Sequence, residues 1–217
     1  MIINLSETNS LVGEWLSEIR NVDVQHDRMR FRRNMERLGE VAAYEISKTL
    51  EYVEKDITTP MGIANCRVLK EQPVLATILR AGLALHQGLL HYFDKADHAF
   101  VSAYRKHNHD GSFDISLEYV SSPSIEGNVL ILSDPMLATG ASLVKTIEHL
   151  QEIGKPSHIH LVVAIACTVG IEYVIRNTKG NITIWAGDID DELTAKGYIV
   201  PGLGDAGDLA FGNKIQQ

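Results

Sequence analysis

The stretch Val129-Leu-Ile-Leu-Ser-Asp-Pro-Met-Leu-Ala-Thr-Gly-Ala-Ser142 decides how the rest of this chain is interpreted. Its first four residues are apolar and predict a buried strand, which ends just before the acidic residue Asp134. A loop of small residues follows, and apolar residues at helical spacing predict a helix from about Ala141. The stretch therefore predicts a strand, a tight loop and a helix.

This loop has the composition of a site for a phosphate attached to a sugar. Backbone N–H groups of a tight loop and of a helix N-terminus form a partly positive cradle for phosphate. An acid at the carboxyl end of the strand is placed to meet sugar hydroxyls. A Walker loop is excluded because no lysine precedes Ser142. An ordinary strand–turn–helix connection without a ligand is the alternative.

The rest of the chain predicts an α/β fold. Near-continuous apolar runs separated by helical segments indicate a Rossmann-like parallel sheet with helices on both faces. The predicted strands cover residues 73–79, 98–104, 115–120, 129–132, 159–166 and 182–186, and the predicted helices cover 28–54, 81–92 and 141–153.

Three polar side chains are predicted to meet at one rim of this sheet. Arg80, Arg105 and Asp134 each follow a predicted strand, and ligands of such sheets bind beyond the strands' carboxyl ends. Residues 105–112 are predicted to form a polar loop that closes over the substrates. His107 and His109 in this loop are interpreted as solvated rather than as metal ligands.

Composition limits the classes of function. A chain of 217 residues with 45% hydrophobic and 22% charged residues predicts one domain, residues 1–217. The net charge of -8 argues against a nucleic-acid partner. The longest apolar run, residues 161–167, is too short for a membrane span. Two cysteines provide no disulfide framework, so a cytoplasmic protein is expected.

Three motifs in register identify a family resemblance. Asp134-Pro-Met-Leu-Ala-Thr-Gly-Ala-Ser142 resembles the ribose-5-phosphate loop of type I phosphoribosyltransferases, in the form found in uracil phosphoribosyltransferases. Ile78-Leu-Arg-Ala-Gly82 resembles the diphosphate-binding loop of that family. Gly197-Tyr-Ile-Val-Pro-Gly-Leu-Gly-Asp-Ala-Gly-Asp208 resembles its uracil-binding segment. The similarity covers roughly residues 25 to 214. It implies the type I fold with an N-terminal helical segment (about 1–55) and a small C-terminal hood over the site (about 188–213).

The resemblance also implies the reaction and its residues. Uracil and 5-phosphoribosyl 1-diphosphate (PRPP) would give uridine monophosphate (UMP) and diphosphate. The PRPP-binding residues would be Arg80, Ala81, Gly82, Arg105, Asp134, Pro135, Met136, Leu137, Ala138, Thr139, Gly140, Ala141, Ser142 and Asp205. The uracil contacts would be Ile199, Gly204, Asp205 and Ala206. Arg80, Asp134 and Asp205 are the catalytic candidates. Mg²⁺ is expected to arrive on PRPP with its waters and with few or no direct protein ligands, and a homodimer or a higher homo-oligomer is expected.

The chain departs from the family pattern at three places, which leaves other functions open. Ala141 stands where glycine is usual, Cys167-Thr-Val-Gly170 replaces Ala-Pro-Glu-Gly, and Leu209 replaces a basic residue. The alternatives are a non-catalytic regulator that senses PRPP or nucleotides, and a phosphoribosyltransferase for another base. Residues 202–207 fit Gly-x-Gly-x-x-Gly, but too few residues follow for a dinucleotide site.

Two charged segments are interpreted as surface features without a catalytic role. Arginines crowd the start of the predicted helix 28–54, and we interpret them as a solvated face with partners on a neighbouring subunit. The arginines are Arg28, Arg30, Arg32 and Arg33. The acidic residues of 188–192 are interpreted as a solvated loop near the mouth of the site.

Overall fold

The computed structural model describes residues 1–107 and 113–214 of the chain. The helices are α1 (Leu11–Arg20), α2 (Arg28–Ser47), α3 (Leu83–Tyr92), α4 (Ala141–Ile153), α5 (Thr168–Asn177) and α6 (Ala206–Phe211). The strands are β1 (Ile2–Asn4), β2 (Tyr52–Thr59), β3 (Gly62–Leu69), β4 (Val74–Leu79), β5 (Asp97–His107), β6 (Phe113–Ser121), β7 (Val129–Ser133), β8 (Met136–Leu137), β9 (His158–Cys167), β10 (Ile182–Asp190), β11 (Glu192–Leu193) and β12 (Ile199–Val200).

The main sheet is parallel except at one edge. Its strand order is β1-β10-β9-β7-β4-β5-β6, with β8 paired to β9. Only β6 is antiparallel to its neighbour, β5. The carboxyl ends of β4, β7, β9 and β10 therefore face the same rim. The predicted parallel sheet is confirmed, with β6 as its one antiparallel strand among the described residues.

Helices cover both faces of this sheet, as predicted. Successive residues of the central strands point into two different hydrophobic clusters, because side chains alternate along a strand. Ile131 joins the cluster that contains α1, α2 and α3. Leu130 and Leu132 join the cluster that contains α4 and α5. The buried strands thus read as continuous apolar runs because each face has its own core.

The predicted helix 28–54 is wrong in its last seven residues, 48–54. Helix α2 begins after Asp27, whose side chain accepts a hydrogen bond from the Arg30 backbone N–H, and it ends at Ser47. The chain then enters the antiparallel hairpin β2–β3, which is separate from the main sheet. This hairpin is rich in β-branched residues, which pack well on a pleated surface. Strand β1, helix α1, the hairpin and helix α5 were not predicted.

No helix in the described part of the chain is both long and apolar enough to cross a membrane. The two cysteines, Cys66 and Cys167, are both free thiols.

Two histidines are buried in the core of the fold. His160 on β9 accepts a hydrogen bond at Nδ1 from Trp185 Nε1, 3.0 Å away. Burial, reinforced by the neighbouring His158, lowers the pKa of His160 to about 3. Burial and the nearby His98 lower the pKa of His86 to about 4. Both rings are therefore held neutral, since protonation requires desolvating a charge.

We predict that these histidines destabilise the fold on acidification. The unfolded chain takes up protons near pH 6.5, whereas the folded chain does so only near pH 3 to 4. Stability is thus complete above pH 6.5 and falls below it, by about 1.4 kcal/mol per pH unit for each histidine. Urea unfolding of wild type and His160→Gln between pH 7.5 and 4.5 checks this. The variant should lose stability less steeply, and parallel curves would contradict the prediction.

Candidate active site

The first part of the site is the turn that joins β4 to α3. Arg80, Ala81 and Gly82 form this turn, and the Gly82 backbone N–H donates to the Ile78 carbonyl at 2.9 Å. A Cβ on Gly82 would lie 2.2 Å from Thr77 Oγ1 and 2.8 Å from the Ser133 carbonyl oxygen. Gly82 is therefore required so that the turn can lie directly against the end of β7.

The second part is the loop between β7 and α4. Asp134 donates its backbone N–H to the Val162 carbonyl at 3.1 Å, and the Pro135 carbonyl accepts from two N–H groups of β9. Gly140 has a φ of +80°, and α4 begins at Ala141 as predicted. The Ala141 backbone N–H points toward Thr139 Oγ1 at 3.4 Å. The loop backbone is thus fixed at the amino end of α4, which favours binding of an anion there.

Helix α5 supports this loop from behind. A Cβ on Gly170 would lie only 2.1 Å from the Ala138 carbonyl oxygen. This glycine is the last residue of the Cys167-Thr-Val-Gly170 segment, in which the sequence departs from the family pattern. The departure leaves the close contact intact, because Gly170 itself is retained.

The third part is a small C-terminal unit made of β11, β12 and α6. Ile199 and Ala206 are buried, whereas Gly204 is exposed and has a φ of +94°. Space is open around Gly204, since no atom lies within 4 Å of the position its Cβ would take. These elements lie in the part of the chain, about 188–213, for which a C-terminal hood is expected, and we call them the hood below.

One ion pair and a hydrogen bond to the backbone join the hood to the turn after β4. Arg80 Nη2 donates to Asp208 Oδ1 at 2.9 Å and to the Gly212 carbonyl at 2.5 Å. A Cβ on Gly207 would lie 3.5 Å from Ala81 Cβ. The Arg80 guanidinium therefore already faces a carboxylate and a carbonyl oxygen within this structure.

Asp205 begins helix α6 and carries a second ion pair. Its Oδ1 accepts from the Asp208 backbone N–H at 3.0 Å, and its Oδ2 accepts from Lys214 Nζ at 2.6 Å. Burial acts to raise the pKa of Asp205, but these hydrogen bonds outweigh it, so the pKa is lowered from its ordinary value. Lys214 supplies a positive charge beside both Asp205 and Asp208.

The structure brings the expected residues together from three segments of the chain. Arg80 follows β4 and Asp134 follows β7, and these two strands are paired neighbours with Thr77 opposite Ser133. Asp134 is half-buried. Arg105 lies within β5, opposite Ile115 of β6, and not in a loop as predicted. Its side chain, and the predicted loop residue His109, lie outside the described part of the chain.

The prediction of a solvated loop for residues 188–192 is wrong for its first part: Asp191 and Glu192 are exposed, but residues 188–190 belong to strand β10. Asp188 and Asp190 end strand β10, and both accept hydrogen bonds from Arg20 of α1. Asp190 is buried. Sequence reasoning missed this cluster because the density of acids suggests a surface, while their partner lies 168 and 170 residues away in the chain.

The arginine-rich start of α2 is only partly as expected. Arg30 and Arg33 are exposed and pair with glutamates of the same chain. Arg32 instead donates to the Ala210 carbonyl at 2.7 Å, which anchors the C-terminal helix α6. A neighbouring subunit is not needed to satisfy these arginines.

Oxygen donors at the rim suit a magnesium ion that is carried mainly by a substrate. In the two described segments, 1–107 and 113–214, no group of three or more histidine, cysteine or carboxylate side chains could hold a metal ion. Asp134 and Asp205 each offer a carboxylate in the segments that form the site. Mg²⁺ keeps several waters and is commonly held by one or two carboxylates plus phosphate oxygens, so these residues fit it.

Comparison with solved structures defines the class of the fold. A hypoxanthine phosphoribosyltransferase from Staphylococcus aureus superposes with a TM-score of 0.51 at 15% identity, covering 86% of this chain and 84% of that one. The fold is that of the type I phosphoribosyltransferases. The AQ2163 protein from Aquifex aeolicus matches with a TM-score of 0.87 and 29% identity over 100% of both chains.

The chain belongs to the uracil phosphoribosyltransferase family. The family model for uracil phosphoribosyltransferase matches residues 6–213. A uracil phosphoribosyltransferase of Porphyromonas gingivalis is 50% identical over 214 residues, which is 99% of each chain. One from Methanococcus vannielii is 36% identical over 213 residues, covering 97% of this chain and 90% of the relative.

We predict opposite effects from alanine at two matched helical glycines. Gly13 and Gly170 are each the third residue of their helices, α1 and α5, but a Cβ at Gly13 would meet no atom within 4 Å. Gly13→Ala should raise the free energy of unfolding by about 0.5–1 kcal/mol. Gly170→Ala should lower it by about 1–3 kcal/mol, because its Cβ would displace Ala138. Urea unfolding checks both, and equal stabilities would contradict the described contact.

Proposed function

We propose that the chain transfers the phosphoribosyl group of PRPP to N1 of uracil, giving UMP and diphosphate. The observation that carries the proposal is the juxtaposition of the turn after β4 with the anion-binding loop after β7, which lie on adjacent parallel strands. Family membership supplies the choice of base.

The proposed roles follow from charge and position. The 5′-phosphate binds the backbone of residues 138–142 at the start of α4, and Asp134 accepts hydrogen bonds from the ribose hydroxyls. Pro135, Met136 and Leu137 shape this loop. The diphosphate binds Arg80, whose planar guanidinium suits phosphate oxygens, and the N–H groups of Ala81 and Gly82. Arg105 on β5 is the second diphosphate arginine.

The chemical step breaks one bond and forms another at the ribose. The C1′–O bond breaks with its electron pair leaving on the diphosphate, and N1 of uracil forms the new bond to C1′ as its proton is released. Positive charge develops on the ribose, close to Asp134, and negative charge on the diphosphate, close to Arg80. Alignment of the reactants and electrostatic stabilisation account for the acceleration. We assign no side chain as the base that accepts the N1 proton.

Mg²⁺ supplies charge neutralisation on the diphosphate when it is bound. The carboxylates of Asp134 and Asp205 are the residues that would hold it, either directly or through its waters. Asp205 is also held by Lys214. The lowered pKa of Asp205 keeps its carboxylate ionised near neutral pH, as is required to hold Mg²⁺ either directly or through its waters.

Uracil is proposed to bind the main chain of the hood. Its ring edge presents both donors and acceptors, which backbone N–H and C=O groups can read without charged side chains. Gly204 offers its backbone in open space, and Ile199 and Ala206 lie on either side of this turn in the sequence. Asp205 completes the contact on the PRPP side.

Product analysis with a panel of bases tests this function. The protein is incubated with Mg²⁺, PRPP and labelled uracil, cytosine, hypoxanthine or guanine, and nucleotides are separated by chromatography. UMP from uracil alone is expected. A nucleotide formed from another base in preference to uracil would contradict the choice of base. PRPP binding without turnover of any base would instead support a non-catalytic sensor.

We predict that Arg80→Met lowers kcat/KM for PRPP by about 10- to 100-fold, since a charge-assisted hydrogen bond to phosphate is lost. Arg176→Met is the matched control, because Arg176 is an exposed arginine on α5. The control should retain wild-type kinetics. Equal kinetics in the two variants, both folded by circular dichroism, would exclude Arg80 from the site.

We also propose that the protein is a homodimer, that residues 1–217 act as one catalytic domain, and that it works in the cytoplasm. The hairpin β2–β3 supports the dimer because it stands apart from the main sheet and exposes Met61 and Ile63 by 97% and 75%. An isolated hairpin is only marginally stable, so a second copy is a suitable partner surface. The free thiols support a reducing compartment.

We predict that Ile63→Glu dissociates this dimer. A charge placed on the hairpin would have to be buried unpaired in the interface, which is costly. Light scattering coupled to gel filtration at micromolar concentration should give a monomer mass. Ile175→Glu on α5, an exposed residue of the same type, is the control and should remain dimeric. A dimer in both variants would place the interface elsewhere.

A further inference from the structure

An ion pair in the N-terminal part of the chain holds the turn that is proposed to read uracil. Arg20 Nη1 donates to the Gly202 carbonyl at 2.9 Å, and Asp190 Oδ2 accepts the Gly202 backbone N–H, also at 2.9 Å. Both polar backbone groups of Gly202 are therefore taken by the two members of one ion pair. Gly202 lies two residues before Gly204.

The ion pair itself has little freedom to move. Arg20 binds both carboxylate oxygens of Asp190, at 2.8 and 2.9 Å, and also reaches Asp188 at 2.9 Å. The side chains of Arg20 and Asp190 are only 19% and 7% exposed. Asp188 is held in turn by Ser6 Oγ at 2.9 Å. Two hydrogen bonds in a fixed fork give this contact a defined geometry, which a lysine cannot reproduce.

A second side chain from the same region acts on the next residue of the turn. Gln25 Nε2 lies 3.3 Å from the Leu203 carbonyl, and also 3.2 and 3.1 Å from the carbonyls of Ile19 and Arg20. Gln25 is buried. The turn is thus fixed on the side that faces α1, while Gly204 keeps open space around it.

We propose that Arg20 and Asp190 are positioning residues for the recognition of uracil. They act through Gly202 by fixing the backbone that presents Gly204, Asp205 and Ala206 to the base. This inference rests on the proposed function and adds to it residues that lie outside all three sequence motifs. Apart from Asp205, the proposed PRPP contacts lie outside this turn, so the ion pair is expected to affect binding of the base more than binding of PRPP.

Steady-state kinetics with each substrate varied in turn separates this role from general support of the fold. The variants are Arg20→Met, Arg20→Lys and Asp190→Asn. Arg30→Met is the matched control, because Arg30 also forms an ion pair with a residue of a neighbouring element, Glu18 of α1, but Arg30 is exposed and this ion pair includes no residue of the turn. Active enzyme is counted by titrating PRPP binding.

Arg20→Met is expected to raise KM for uracil about 10-fold or more, with KM for PRPP within twofold of wild type, because small displacements of a binding group have large effects. Arg20→Lys and Asp190→Asn should also raise KM for uracil selectively, but by a smaller factor. These two variants test the inference if Arg20→Met does not fold. Arg30→Met should change neither KM.

Two results with the variants would overturn the inference. Folded variants with unchanged KM for uracil would do so, as would variants in which both KM values rise together. Wild-type enzyme that forms no UMP would overturn the proposed function and this inference with it. Wild-type turnover with an unselective effect of Arg20→Lys would contradict this inference alone.

Discussion

The structure depends on how closely the turn after β4 packs against the end of β7. Gly82 lies where any side chain would collide with Thr77 Oγ1 and the Ser133 carbonyl, and Thr77 Oγ1 also approaches that carbonyl at 3.3 Å. Because the two strands are parallel neighbours, this contact sets Arg80 and Asp134 side by side at one rim. Helix α5 adds a similar restraint. Because Gly170 has no side chain, the Ala138 carbonyl packs closely against it, and this contact fixes the loop before α4.

The hood is tied to this rim by charge rather than by apolar packing alone. Arg80 at the rim pairs with Asp208 of α6, while Arg32 of α2 holds the other end of α6 by donating to the Ala210 carbonyl. A diphosphate that binds at Nη2 of Arg80 would therefore replace the Asp208 carboxylate and the Gly212 carbonyl. Exchange of one anion for another keeps the guanidinium paired in both states, which lowers the desolvation cost of each. In the complex that we propose, substrate binding and the position of α6 would be linked through the Arg80 side chain.

Much of the rim could be predicted from the sequence because its signals are local. The apolar run before Asp134 and the helix bounds 141–153 depend on neighbours within one turn or strand. The predicted end of the helix 28–54 was wrong because apolar residues at helical spacing continue past Ser47. In the structure, the residues beyond it form a hairpin, whose two strands pair with each other. The ion pairs of Asp188 and Asp190 on β10 were not predicted, because their partner, Arg20, lies in helix α1, which was not predicted either. Such long-range pairs leave no periodic signal.

A crystal structure of the protein with PRPP and Mg²⁺ bound tests the central claim most directly, because it shows which groups the rim presents to the substrate. The account predicts that the Arg80 guanidinium leaves Asp208 for the diphosphate, that the 5′-phosphate lies against the backbone of residues 138–142, and that Asp134 meets the ribose hydroxyls. A diphosphate bound elsewhere, with Arg80 still paired to Asp208, would contradict the account.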